Sequence, residues 1–109
     1  MSVALFRFND NKINADSKVT LSENISTESF YEKYWEKAIH EQGIKIFQDG
    51  SKFSKSELRE VLKELGLLRE WANSNLKGSE KEYMVERIEH MQEIIPKAFI
   101  NDNTILFIF

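Results

Sequence analysis

The last six residues, Thr104-Ile105-Leu106-Phe107-Ile108-Phe109, constrain the fold more than any other stretch of this chain. A strand shows alternate side chains to opposite faces, and here both sets are apolar. Such a run belongs inside a sheet with both faces covered, because at an edge it would template aggregation. The C-terminal strand is therefore expected to be central, beside an N-terminal strand over residues 3–8. In that first strand Ala4, Phe6 and Phe8 point one way and Val3, Leu5 and Arg7 the other.

Between these strands the patterning is mostly helical. Asn9-Asp10-Asn11-Lys12 reads as a turn, since Asn and Asp tolerate the backbone angles a turn needs. Residues 18–21 suit a second strand with Val19 and Leu21 on one face. A helix is expected from Ser26 or Thr27 to about Glu41, with Phe30, Tyr31, Tyr34, Trp35, Ala38 and Ile39 giving a wide apolar arc. Gly43 is placed to close it in the left-handed conformation. Residues 44–47 read as a short strand and Asp49-Gly50 as a turn.

Ser54 and Glu57 form a capping box flanked by a Phe53–Leu58 staple. The helix they start runs through Leu58, Val61, Leu62 and Leu65. A kink or break is expected at Gly66, because a straight continuation would carry Arg69 onto the apolar face; a shorter piece with Leu68, Trp71 and Ala72 follows. Ser79 with Glu82 reads as another capping box, and Met84, Ile88, Met91 and Ile95 as the buried face of the last helix. Pro96 falls at or just past its end, and Asn101-Asp102-Asn103 turns the chain into the final strand. The sum is a single α+β domain over residues 1–109. Its sheet is small and mostly antiparallel, of three to five strands, with about three to four helices packed on it.

Composition removes several function classes. With no cysteine, a disulfide framework, a zinc–thiolate site and a cysteine nucleophile are all absent, which fits a cytoplasmic protein. No apolar run approaches the ~20 residues of a membrane span, and the N-terminus lacks the basic and long apolar regions of a signal peptide. The 13 aromatic residues argue for a folded core. Net charge is −3, from 18 acids and 15 bases. The bases are scattered, so no Lys/Arg cluster marks a nucleic-acid face.

Catalytic signatures are equally sparse. His40 and His90 each have a glutamate four residues earlier, Glu36 and Glu86, and one adjacent, Glu41 and Glu89. Either pair shares a helix face and could touch a metal. Neither matches the Glu-x-x-His of the di-metal bundles or His-Glu-x-x-His, and solvated helix-face histidines are the simpler reading. No Gly-x-Ser-x-Gly elbow and no glycine-rich phosphate loop is present. The expectation is a protein without catalytic activity, metal or cofactor.

The acids, by contrast, align. Glu82, Glu86, Glu89 and Glu93 fall at helical spacing opposite Met84, Ile88, Met91 and Ile95, and Glu57, Glu60 and Glu64 repeat the arrangement earlier. Like charges at i,i+4 cost an isolated helix a few tenths of a kcal/mol per pair. The rows are either the wet sides of two helices, partly neutralised by Lys63, Lys81 and Arg87, or surfaces that attract a basic partner. Trp35 and Trp71 are the aromatic candidates at their margins, since tryptophan is enriched in binding hot spots, although burial in the core is the commoner fate of such a residue.

Residues 53–71, FSKSELREVLKELGLLREW, resemble the central segment of small bacterial immunity proteins, the partners of contact-dependent or polymorphic toxins. The later helix around residues 84–88 and the closing hydrophobic strand are similar to such chains too, so the resemblance spans about the last two thirds of the sequence. It implies a protein that binds one cognate toxin domain, often a nuclease, and blocks its active site or substrate surface; a monomer or weak homodimer is the expected assembly. No binding residue transfers from the resemblance. The contact residues expected from the charge rows and aromatics are Glu57, Glu60, Glu64, Trp71, Glu82, Glu86, Glu89, Glu93 and Trp35. The alternative is a small regulatory or adaptor domain that takes a peptide or protein on its first helix.

Overall fold

The computed structural model describes residues 2–10 and 16–109. Strands β1 (Ser2–Phe8) and β2 (Val19–Thr27) lead into helix α1 (residues 28–42). Then come β3 (Lys52–Ser54), a 3₁₀ turn (Lys55–Glu57), helices α2 (Leu58–Asn75) and α3 (Gly78–Ala98), and β4 (Ile105–Ile108). The strands form one antiparallel sheet in the order β2-β1-β4-β3. The fold is α+β, and the C-terminal strand is internal, beside the N-terminal one, as its apolar run requires. Leu5 pairs with Ile108 and Phe6 with Phe107. Asn11 and Lys12 of the turn expected at residues 9–12 lie outside the described residues.

The two faces of β1 and β4 differ in what covers them. Val3, Leu5, Leu106 and Ile108 join one core with Trp35, Phe47, Phe53 and the apolar faces of all three helices. Phe6, Phe8, Phe107 and Phe109 face the other way and contact one another. The expectation that β4 is covered on both sides is therefore met by helices on one side alone. On the other, the rings shield each other by stacking, Phe6 on Phe109 at 4.6 Å between centroids.

Helix α1 explains its own wide apolar arc. It is α-helical over Glu28–Phe30 and Glu36–Gln42 with a π-helical turn at Tyr31–Trp35 between. The wider turn sets Tyr31, Trp35 and Ala38 into the core. It leaves Phe30 and Tyr34 on the flank, where Phe30 meets Tyr83 of α3 with ring centroids 4.7 Å apart. Thr27 caps the start, and Gly43, at φ 65°, closes the end in the left-handed region.

Several local expectations fail for identifiable reasons. Residues 44–47 are not a strand. The backbone N–H groups of Lys45, Ile46 and Phe47 converge on the carboxylate of Glu64 at 2.8–3.2 Å, a geometry that an alternating strand cannot make. Strand β2 runs through the polar Ser22, Glu23 and Asn24 because β1 pairs with it along its whole length. Helix α2 does not break at Gly66. Its buried residues, Val61, Glu64, Leu65, Leu68, Trp71 and Ala72, centre the buried face away from Arg69. That side chain reaches the flank, where it pairs with Glu89 of α3. The Ser79–Glu82 box does not form, since α3 starts at Gly78 after an N-cap at Lys77 that makes no side-chain bond. Pro96 lies within the last turn, and the helix ends two residues later at Ala98.

Candidate functional site

Helix α3 places the second glutamate row. At 3.6 residues per turn, Glu82, Glu86, Glu89 and Glu93 fall within roughly 60° of arc. Met84, Ile88, Met91 and Ile95 bury the opposite face completely. All four glutamates are exposed. Glu82, Glu86 and Glu89 line an open groove of about 430 Å³ between α2 and α3, with Asn73, Lys81 and the half-buried Val85.

Charge within the row is unevenly compensated. Glu89 is held by Arg69 at 2.7 Å across the groove. Glu93 lies 4.0 Å from Lys97, one turn on. Glu82 and Glu86 make no ion pair among the described residues. Arg87, expected to neutralise the row, turns the other way and donates to the backbone carbonyl of Asn24 in β2. The outcome is a negative strip on a rigid two-helix frame, with Val85 supplying an apolar floor and Arg69 fixing one carboxylate.

The first row does not survive as a surface. Glu64 is buried, 8% exposed, and its carboxylate is consumed by the three N–H groups of the loop before β3. Glu57 accepts from the Ser54 N–H at 3.1 Å as the return half of a capping box. Only Glu60 is exposed and uncommitted. Glu57 and Glu60 take no part in the groove.

Neither tryptophan can serve as a surface anchor. Trp35 is fully buried against Tyr31 and Phe47. Trp71 is 4% exposed and donates its indole N–H to Glu41 at 3.2 Å, tying α2 to α1. Trp35, Trp71 and Glu64 are therefore withdrawn as contact residues, because burial leaves them no surface to offer. Of the nine expected contact residues the structure gathers Glu82, Glu86, Glu89 and Glu93 on one face. Arg69, Asn73 and Val85 join it without having been foreseen. Arg69 alone had a sequence signal, a cation on the continuing α2 helix.

The histidines are separate. His90 lies 3.0 Å from Glu23 of β2 and links α3 to the sheet edge. His40 lines a second cleft of about 610 Å³ with Tyr31, Glu36, Ile39, Lys45 and Asp49. The Tyr31 hydroxyl accepts from the Asp49 N–H at 2.8 Å, and its pKa is raised above 10.0, chiefly by burial. Among the described residues no group of three or more His, Cys, Asp or Glu could hold a metal, and no helix is long and apolar enough to cross a membrane. Compared with protein-family models, curated proteins and solved structures, the chain matches none.

Proposed function

We propose that this protein is a non-enzymatic immunity protein of the bacterial cytoplasm. It binds and neutralises a cognate toxin domain through the face of α3 that carries Glu82, Glu86, Glu89 and Glu93. One observation carries the reading: four exposed carboxylates share one helix face, and among the described residues Glu82 and Glu86 have no cationic partner. A row of like charges disfavours its own helix, and a basic partner relieves that repulsion. A nuclease presents such a surface, because its substrate cleft must hold phosphates. Acidic side chains on a rigid frame steer such a partner into contact and fix its register. The Val85 floor suits the aliphatic stem of an incoming Lys or Arg.

The experiment is co-expression with the protein encoded beside it, followed by purification and an activity assay of that partner. The proposal expects a stable complex in which the partner's activity is suppressed. Absence of both binding and protection would defeat it.

A further inference from the structure

We infer that the cleft between α1 and the loop after it binds a small amine with a neighbouring hydroxyl, the chemistry of an amino sugar. The inference is independent of the toxin-binding proposal, since no glutamate of the α3 row lines this cleft. Its volume of about 610 Å³ is in the range of small-molecule sites. Tyr31 is the residue that marks it. This side chain opens the π-helical turn Tyr31–Trp35, and single π-turns inside α-helices recur at functional sites. Tyr31 is only 4% exposed. It lines the cleft beside Asp49, whose N–H its hydroxyl accepts at 2.8 Å. The phenolic proton has no acceptor among the described residues, which leaves one buried donor unused at the cleft wall.

The loop that forms the other wall is fixed in advance. At its ends the Ile44 N–H donates to the Ile39 carbonyl at 2.9 Å and the Gly50 N–H to the Ile108 carbonyl at 2.8 Å. Between them the N–H groups of Lys45, Ile46 and Phe47 are held by Glu64. A buried carboxylate devoted to a surface loop carries a desolvation cost, which merely joining α1 to β3 does not require. Holding the loop in one shape does require it, and a wall that is already ordered loses little freedom when a ligand binds.

Charge selects the ligand. Burial raises the Tyr31 pKa, and the carboxylates of Asp49 and Glu36 act in the same direction, so the field at the hydroxyl is negative. The carbonyl end of α1 reaches the cleft at Gly43 and adds to that field. The basic side chains of the cleft, Lys45 and His40, are exposed at its rim, and neither is among the charges that act on Tyr31. A ligand carboxylate at Tyr31 would face like charges. A bare amine suits the carboxylates but gives the phenolic proton no acceptor, and a neutral sugar leaves the carboxylates without a cation. An ammonium with a hydroxyl on the next carbon meets both needs: the nitrogen pairs with Glu36 and Asp49, and the oxygen accepts from Tyr31. A hexose ring occupies the remaining volume, its C–H face on the half-buried Ile39. The Gln48 side chain donates its nitrogen to the Lys45 carbonyl at 2.8 Å and keeps its oxygen for a further hydroxyl.

Titration of the whole chain with glucosamine, followed by amide NMR in a buffer acidic enough to protonate the amine, tests this. Glucose and N-acetylglucosamine, with salt added to match ionic strength, are the neutral comparisons. The expected result is saturable shifts at α1 and the loop, with those of the α3 row unmoved and a dissociation constant of about 1–10 mM, as suits so small a ligand in an open cleft. Neither neutral sugar should saturate. Tyr31→Phe, which keeps the ring, and the exposed Glu36→Gln should each raise the constant about threefold or more. Absence of saturable shifts with glucosamine overturns the inference. So does equal binding of either neutral sugar, or a constant left unchanged by one variant or the other.

Discussion

Removing the Glu64 carboxylate should destabilise the protein far more than removing any other glutamate of its row. In the Glu64→Ala variant the N–H groups of Lys45, Ile46 and Phe47 lose acceptors at 2.8–3.2 Å. Each hydrogen bond to a charged group contributes about 1.5–3 kcal/mol, so three intact losses would reach about 4.5–9 kcal/mol. Lys45 is exposed and Ile46 half-buried, so water can recover part of two. Phe47 is 1% exposed, and its N–H would pay the full desolvation cost of about 1–3 kcal/mol. The net loss should be about 3–5 kcal/mol, a fall in Tm of roughly 15–30 °C for a domain of this size. Glu64→Gln retains one acceptor oxygen but turns an NH₂ toward donors, and should lose about half as much. Urea and thermal unfolding followed by circular dichroism measure all of this, with the exposed Glu60→Ala as control, expected within about 0.5 kcal/mol of wild type. A Glu64→Ala loss no larger than that of the control would refute the assignment of Glu64 as the organiser of the loop.

Two further predictions concern the frame around the site. Gly66→Ala should stabilise the protein by about 0.5–1 kcal/mol, because Gly66 lies inside a continuous helix with nothing within 4 Å of an added Cβ; a loss on chemical denaturation would mean that the helix needs a flexible joint there. Tyr31 is held neutral above its ordinary 10.0, mainly by burial. Its raised folded-state pKa makes its contribution constant below pH 10 and lost as pH climbs through the folded value. Stability measured from pH 9 to 11 should fall less steeply in Tyr31→Phe than in wild type, at a cost near neutral pH of about 1 kcal/mol for the lost bond to the Asp49 N–H.

What the sequence disclosed and what it hid follow from the range of the interactions involved. The central β4, the Ser54–Glu57 cap, the Gly43 terminus and the exposed row of α3 all rest on periodicity or on contacts within a few residues, which a linear pattern records. Glu64 looked like its neighbours Glu57 and Glu60, because its distinguishing partners are N–H groups 17 to 19 residues earlier. Trp71 carried two readings, core or surface anchor, because the indole partner that fixes its place, Glu41, is 30 residues away. Arg69 seemed to demand a break in α2. The true centre of the buried face is set by packing against α1 and α3, and Arg69 falls at its edge, facing Glu89. The phenylalanines of β1 and β4 alternate plainly in the sequence, yet which of their faces the helices would cover depended on the sheet order.

The most direct test of the functional account is the salt dependence of binding to the neighbouring gene's product, measured for wild type and for the variant with Glu82, Glu86, Glu89 and Glu93 all changed to Gln. Each exposed pair contributes roughly 0.5 kcal/mol, so four together predict a dissociation constant raised about thirtyfold at low salt. The wild-type constant should rise steeply between about 50 and 500 mM salt, as screening shortens the reach of the carboxylates, and the variant's should stay nearly flat. Equal affinities and equal salt slopes for the two proteins would show that this face of α3 is not where the partner docks.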